Sequence, residues 1–91
     1  MIDLNDLARR ALETCRRQGW KRTWLHSGCY LHLEVSVFIE ALRGKGDSTP
    51  GEEAADVLFV LLSTLEEHGI SSSEVFRTLD QRVSTEKKEP L

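Results

Sequence analysis

The sequence has little of what several fold and function classes require. Its two cysteines, Cys15 and Cys29, cannot build the disulfide framework on which small secreted domains depend. Two free thiols in a reducing compartment are expected instead, and with them a cytoplasmic protein. Two prolines and six glycines are too few for the many turns of an all-β fold. Lys and Arg number 12 against 15 Asp and Glu, a net charge of −3, and no basic block occurs, so no nucleic-acid partner is expected. The longest uncharged apolar run, Val57 to Leu62, is six residues, far short of the ~20 that cross a bilayer. No membrane partner is expected either. Met1-Ile2-Asp3-Leu4-Asn5-Asp6 has neither the basic nor the apolar region of a secretory signal.

What is present is helical punctuation. The 91 residues suffice for one domain, taken as residues 1–84, with a charged tail at 85–91. Asp3 can cap a first helix that runs to about Gln18, with Gly19 at the position after it. Leu4, Leu7, Ala8, Ala11, Leu12 and Cys15 recur at helical spacing, and the arginines fall on other faces. A linker from Gly19 to about Trp24 leads to a second, strongly apolar helix that runs to Arg43 and stops at Gly44. Thr49, Pro50 and Glu52 mark a capping box for a third helix, which ends near His68 and Gly69. Ser71 and Glu74 repeat the device, with Ile70 and Val75 as a hydrophobic staple, for a fourth helix to about Ser84. The expected fold is all-α, a four-helix antiparallel bundle. A domain this small hides only about 60–65% of its unfolded surface, so an apolar surplus on its helices would point to an oligomer.

Charges in apolar surroundings locate the chemistry. Glu34 lies on a helix face with Tyr30, Leu31, Val37, Phe38 and Ala41. From Ala54 to Leu62 every residue is apolar except Asp56, so the third helix is expected to be buried on most sides. Asp56 shares a face with Glu53, three positions before it. Carboxylates turned toward dry space must be protonated, paired with a cation or bound to metal. Ion pairs with the arginines of the first helix are one solution. A hard divalent cation is the other, and Mg²⁺ takes oxygen ligands and is completed by substrate phosphates. His26, His32 and His68 lack the spacing of a metal pair.

The stretch Leu33-Glu34-Val35-Ser36-Val37-Phe38-Ile39-Glu40-Ala41-Leu42-Arg43, followed by Glu52-Glu53-Ala54-Ala55-Asp56-Val57-Leu58, resembles the all-α nucleoside triphosphate pyrophosphohydrolases of the MazG type. Their pattern is Glu-x-x-Glu on one helix and Glu-x-x-Asp on the next, and the resemblance covers residues 20 to 83. It implies a helical bundle pairing into a homodimer or a dimer of dimers. It also implies Mg²⁺-dependent hydrolysis of a nucleoside triphosphate to monophosphate and pyrophosphate, a nucleotide house-cleaning reaction, with Mn²⁺ as a substitute ion. Glu34, Glu53 and Asp56 fall on the catalytic, metal-ligating positions, and Glu40 on an acidic position that supports them. Trp24 could stack a base. Lys45, in Gly44-Lys45-Gly46, and Arg82 could reach phosphate, although neither belongs to a P-loop.

One position departs from the pattern: the second acid of the first pair is replaced by Val37, which cannot bind metal or orient water. Three readings therefore stand: an active hydrolase, a nucleotide- or metal-binding member that does not turn over, and a helical protein–protein interaction domain whose acids are ion-paired.

Overall fold

The computed structural model describes residues 1–21 and 23–85. It is all-α: α1 is Leu4–Arg17, α2 Trp24–Leu42, α3 Pro50–Glu67 and α4 Ser72–Ser84. No strand occurs among the described residues. Except for Thr85, the tail expected at 85–91 lies outside them.

Local chemistry sets each boundary. Asp3 and Thr23 accept from the backbone N–H three residues on, at 3.1 and 3.2 Å, and so start α1 and α2. At α3 both halves of the capping box form: Thr49 Oγ1 accepts from the Glu52 N–H at 3.2 Å, and Glu52 accepts from the Thr49 N–H at 2.9 Å. The Thr49 backbone N–H, and after it the Thr49 hydroxyl, hold the Glu52 carboxyl below its ordinary range. At α4 only one half forms. Ser71 Oγ accepts from the Glu74 N–H at 3.3 Å, while the Glu74 carboxylate turns to Arg77 at 2.6 Å. The staple expected there is weak, because Ile70 remains exposed.

Gly19, Gly44 and Gly69 follow α1, α2 and α3, each with φ between 71° and 76°. That left-handed backbone lets the two following N–H groups close the helix end. At α1 the Gly19 N–H reaches the Arg16 carbonyl and the Trp20 N–H the Cys15 carbonyl, both at 3.1 Å. The same pair of bonds closes α2, from Gly44 and Lys45, and α3, from Gly69 and Ile70. In this motif the second residue beyond the helix end folds back over its last turn. Trp20 and Lys45 hold that position.

The core lies along α3. Both α1 and α2 pack on α3 but not on each other, and α4 touches α1 and α3 lightly. Buried apolar residues are Ala8, Ala11, Leu12 and Cys15 of α1, Ala41 of α2, and Val60 and Leu62 of α3. The third helix is less enclosed than its composition suggests: Ala55, Asp56 and Leu58 are exposed. The reason is geometric, since α1 and α2 flank α3 and α4 shields only part of it, which leaves one side open.

The tie between α1 and α4 is polar. Asn5 donates to Ser73 Oγ at 2.7 Å, and its carbonyl accepts from the Ser73 N–H at 3.1 Å and from Ser71 Oγ at 3.2 Å. One amide thus satisfies an N–H of the first turn of α4, which no intrahelical carbonyl can reach. Asn5→Ala should lower stability by about 1–2 kcal/mol, because a partly buried N–H is left unpaired. The check is a urea unfolding midpoint, which falls if Asn5 anchors α4 and is unmoved if the contact is incidental.

Candidate metal centre

Glu34 comes from the middle of α2, and Glu53 and Asp56 from the first turns of α3. The packing of α2 on α3 brings the middle of one to the first turns of the other. The i, i+3 spacing puts Glu53 and Asp56 on one face of α3. One carboxylate oxygen from each of the three residues lies within 4.8 Å of the others.

Their surroundings differ. Glu53 is buried, at 6% exposure, Glu34 is half-buried and Asp56 is exposed. The centre is therefore a cleft open on one side, not the dry interior that the apolar run around Asp56 suggests. Burial pushes the Glu34 carboxyl above its ordinary range, and the charges of Asp56 and Glu53 add to the effect.

The arginines of α1 do not relieve this crowding. Arg9 and Arg10 pair with Asp6, Arg16 pairs with Glu67 at 3.2 Å, and Arg17 donates to Thr14. Among the described residues, no ion pair reaches Glu34, Glu53 or Asp56. Three like charges that no described cation pairs with are costly in a half-buried cleft.

The donor set fits a hard cation. All three ligands are carboxylate oxygens, the type that Mg²⁺ and Mn²⁺ take. Two oxygens on opposite sides of Mg²⁺ stand about 4.2 Å apart, from its ~2.1 Å bond length. The three ligand oxygens lie within 4.8 Å of one another, close to that span.

Two hollows flank the cluster. The first, of about 420 Å³, is lined by Val37, Glu40, Lys45, Ser48 and Glu53, among others. The second, of about 400 Å³, is lined by Thr14, Gln18, Trp20, Glu34, Asp56 and Phe59, among others. Trp20 stands 5.1 Å from the Tyr30 ring and edge-on to Phe59 at 5.7 Å, centroid to centroid. One side of the carboxylates thus offers an ammonium and a hydroxyl. The other offers aromatic surface with an amide and a hydroxyl.

The residues singled out in the sequence divide accordingly. Glu34, Glu53 and Asp56 come together. Lys45 borders the first hollow, and so does Glu40, which accepts from Arg43 at 2.9 Å. Trp24, by contrast, stands 74% exposed at the start of α2 and lines neither hollow. Trp20 instead lines the second hollow, with Glu34 and Asp56. Arg82 borders a separate depression on α4 with Val75, Thr78 and Leu79. No group of three or more ligating side chains other than these carboxylates occurs among the described residues, and His26, His32 and His68 are in none. Comparison with protein-family models, with curated proteins and with solved structures finds no match for this chain.

Proposed function

We propose that the chain is a MazG-type nucleoside triphosphate pyrophosphohydrolase whose Mg²⁺, or Mn²⁺ in its place, is held by Glu34, Glu53 and Asp56. The observation that carries the reading is the convergence of three oxygen ligands that no ion pair reaches among the described residues. The hollows on either side supply the rest: Lys45 and Ser48 for phosphate, and Trp20 with Phe59 for a base. The ion, when bound, supplies neutralisation of phosphate charge and a more acidic bound water. The three carboxylates fix its position and, by their own negative charge, admit the triphosphate only together with the cation. Lys45 sits where an ammonium can steady phosphate oxygens, as a point charge does. Trp20, held against Tyr30 and Phe59, offers a base an apolar wall, and the Gln18 amide can donate to or accept from its edge.

In the reaction, water cleaves the anhydride between the α and β phosphorus atoms, its oxygen joining one phosphorus as the bridging oxygen leaves with the other and a proton is released. Nucleoside monophosphate and pyrophosphate leave. Val37 favours a second reading, in which this chain binds metal and nucleotide without efficient turnover, because the carboxylate of the family pattern is replaced by an alkyl group.

The experiment is pyrophosphate release from a panel of canonical and modified nucleoside triphosphates with Mg²⁺ or Mn²⁺, beside metal-dependent thermal stabilisation. Release supports the hydrolase. Stabilisation without release supports the binding protein. Absence of both overturns the two readings together and leaves the interaction domain.

A further inference from the structure

Arg17 stands apart from the other arginines of α1. Arg9 and Arg10 pair with Asp6, and Arg16 pairs with Glu67. Arg17 joins no carboxylate among the described residues. Its guanidinium donates to Thr14 Oγ1 at 3.1 Å. The Thr14 hydroxyl gives its own proton to the Arg10 carbonyl at 2.9 Å, so toward Arg17 it can only accept. A guanidinium held by a hydroxyl and not by an acid keeps its charge uncompensated and its other N–H donors unused.

The anchor gives those donors a place. Thr14 and Gln18 both line the second hollow, with Trp20, Glu34 and Asp56. Spacings of three and four residues put Thr14, Arg17 and Gln18 side by side at the end of α1. The guanidinium, bonded to a lining residue, therefore stands at the rim of that hollow. Trp20 folds back over the same last turn, where its N–H meets the Cys15 carbonyl at 3.1 Å. Lys45 borders the other hollow, together with Glu53. A triphosphate that crosses the carboxylates toward Lys45 leaves Arg17 at the end where the base lies.

We infer that Arg17 makes the second hollow selective for a nucleotide with a 6-oxopurine base, guanine or hypoxanthine. The inference rests on the nucleotide site proposed above and deepens it. A 6-oxopurine presents O6 and N7 as adjacent acceptors, which match two parallel N–H groups of one guanidinium. Adenine keeps N7 but turns its N6 donors toward the same fork, and donor then faces donor. Cytosine likewise turns an amino group, and uracil offers a single carbonyl. Gln18, one position further on, can accept from N1–H of the oxopurine while the ring lies on Trp20. Hypoxanthine and guanine differ only at the 2-amino group, which neither Arg17 nor the Gln18 carbonyl requires.

The test is isothermal titration of the full chain, with Mg²⁺, by the α,β-methylene triphosphates of guanosine, adenosine and 7-deazaguanosine. These resist cleavage between the α and β phosphorus atoms, so the readout does not depend on whether Val37 permits turnover. The guanosine compound should bind roughly 10-fold or more tightly than the adenosine one, the scale of one bidentate contact to a base edge. The 7-deaza compound, which lacks only the N7 acceptor, should fall between them. Arg17→Ala removes an exposed side chain, so helical circular dichroism should be unchanged. In that variant the guanosine compound should bind as weakly as the adenosine one. Equal affinity for guanosine and adenosine in the unaltered chain would overturn the inference and leave the nucleotide site standing. So would an Arg17→Ala variant that weakens all three compounds by the same factor, since that result places Arg17 on phosphate. Binding of none of the three, by a chain that still takes up Mn²⁺, would overturn the hydrolase reading and this inference together.

Discussion

Val37→Glu should raise the rate of Mg²⁺-dependent pyrophosphate release by roughly 100-fold, the scale at which one positioned carboxylate acts in general base catalysis. Position 37 follows Glu34 by one helical turn, so the two side chains are neighbours. Val37 also lines the hollow bordered by Glu53 and Lys45. It is 38% exposed, so the longer glutamate has room and the core is undisturbed. The substitution adds a fourth negative charge, so it should also lower the melting temperature without metal and increase the shift that Mg²⁺ produces. The rate and the two thermal effects come from the same carboxylate and should appear together. A variant with unchanged rate and unchanged response to Mg²⁺ would mean that position 37 does not face the reacting centre.

Glu34→Gln should make the protein more stable in the absence of metal. The Glu34 carboxyl is held above its ordinary range, first by burial and then by the charges of Asp56 and Glu53. A raised carboxyl binds its proton more tightly in the folded state than in the unfolded one. Its contribution is therefore fully present below the ordinary glutamate value near 4.3 and is lost as pH rises through the raised value. At neutral pH the ionised side chain is a net cost, which the neutral amide of the same shape removes. After solvent screening of a half-exposed group the gain is about 0.5–1 kcal/mol, or about 2–8 °C in melting temperature for a domain of this size. Mg²⁺ reverses the order, since it stabilises the unaltered chain by mass action and the variant much less. A series of melting temperatures against pH, with chelator and with Mg²⁺, checks both signs. A Gln variant that melts lower in chelator at neutral pH would show that Glu34 is a structural hydrogen-bonding partner and not a ligand kept in readiness.

The sequence makes the local parts of this account legible and leaves the long-range parts hidden. Thr49, Pro50 and Glu52 announce the start of α3 because a capping box is closed by groups three residues apart. Glu53 and Asp56 can be paired from their spacing alone, since the helix repeat decides which side chains adjoin. Which helix α3 meets, and how deeply, depends on packing. That is why Asp56, set in an unbroken apolar run, looks buried in the sequence and is exposed in the fold. Arg9, Arg10, Arg16 and Arg17 could have neutralised the cluster as far as composition goes. The pairs of Arg9 and Arg10 with Asp6 and of Arg17 with Thr14 follow from helical spacing, whereas that of Arg16 with Glu67 becomes visible only once α1 is docked.

The two tryptophans show the same boundary. Both Trp20 and Trp24 lie near a loop, where no periodicity tells inside from outside. A signal for Trp20 does exist in Gly19, because a glycine at a helix end turns the following residue back over the last turn. Read that way, Trp20 belongs against α1 and beside the cluster, while Trp24, the first residue of α2, is left on the outer face. The Asn5 link to Ser71 and Ser73 spans more than sixty residues and has no local signature at all. Arg82 is suited to phosphate by charge, but α4 carries it to a depression with Val75, Thr78 and Leu79.

The central claim, that Glu34, Glu53 and Asp56 form a divalent-cation site, is tested most directly by titrating the chain into Mn²⁺ and following the electron paramagnetic resonance signal of the free ion. Asp56→Ala serves as the paired variant, because an exposed side chain can be removed without disturbing the core. Expected is a saturable loss of the free-ion signal with the unaltered chain, reversed by excess Mg²⁺. In Asp56→Ala the dissociation constant should be weaker by roughly 10-fold or more, with helical content unchanged. A free-ion signal that the unaltered chain leaves intact, or that both proteins diminish equally, would contradict the site.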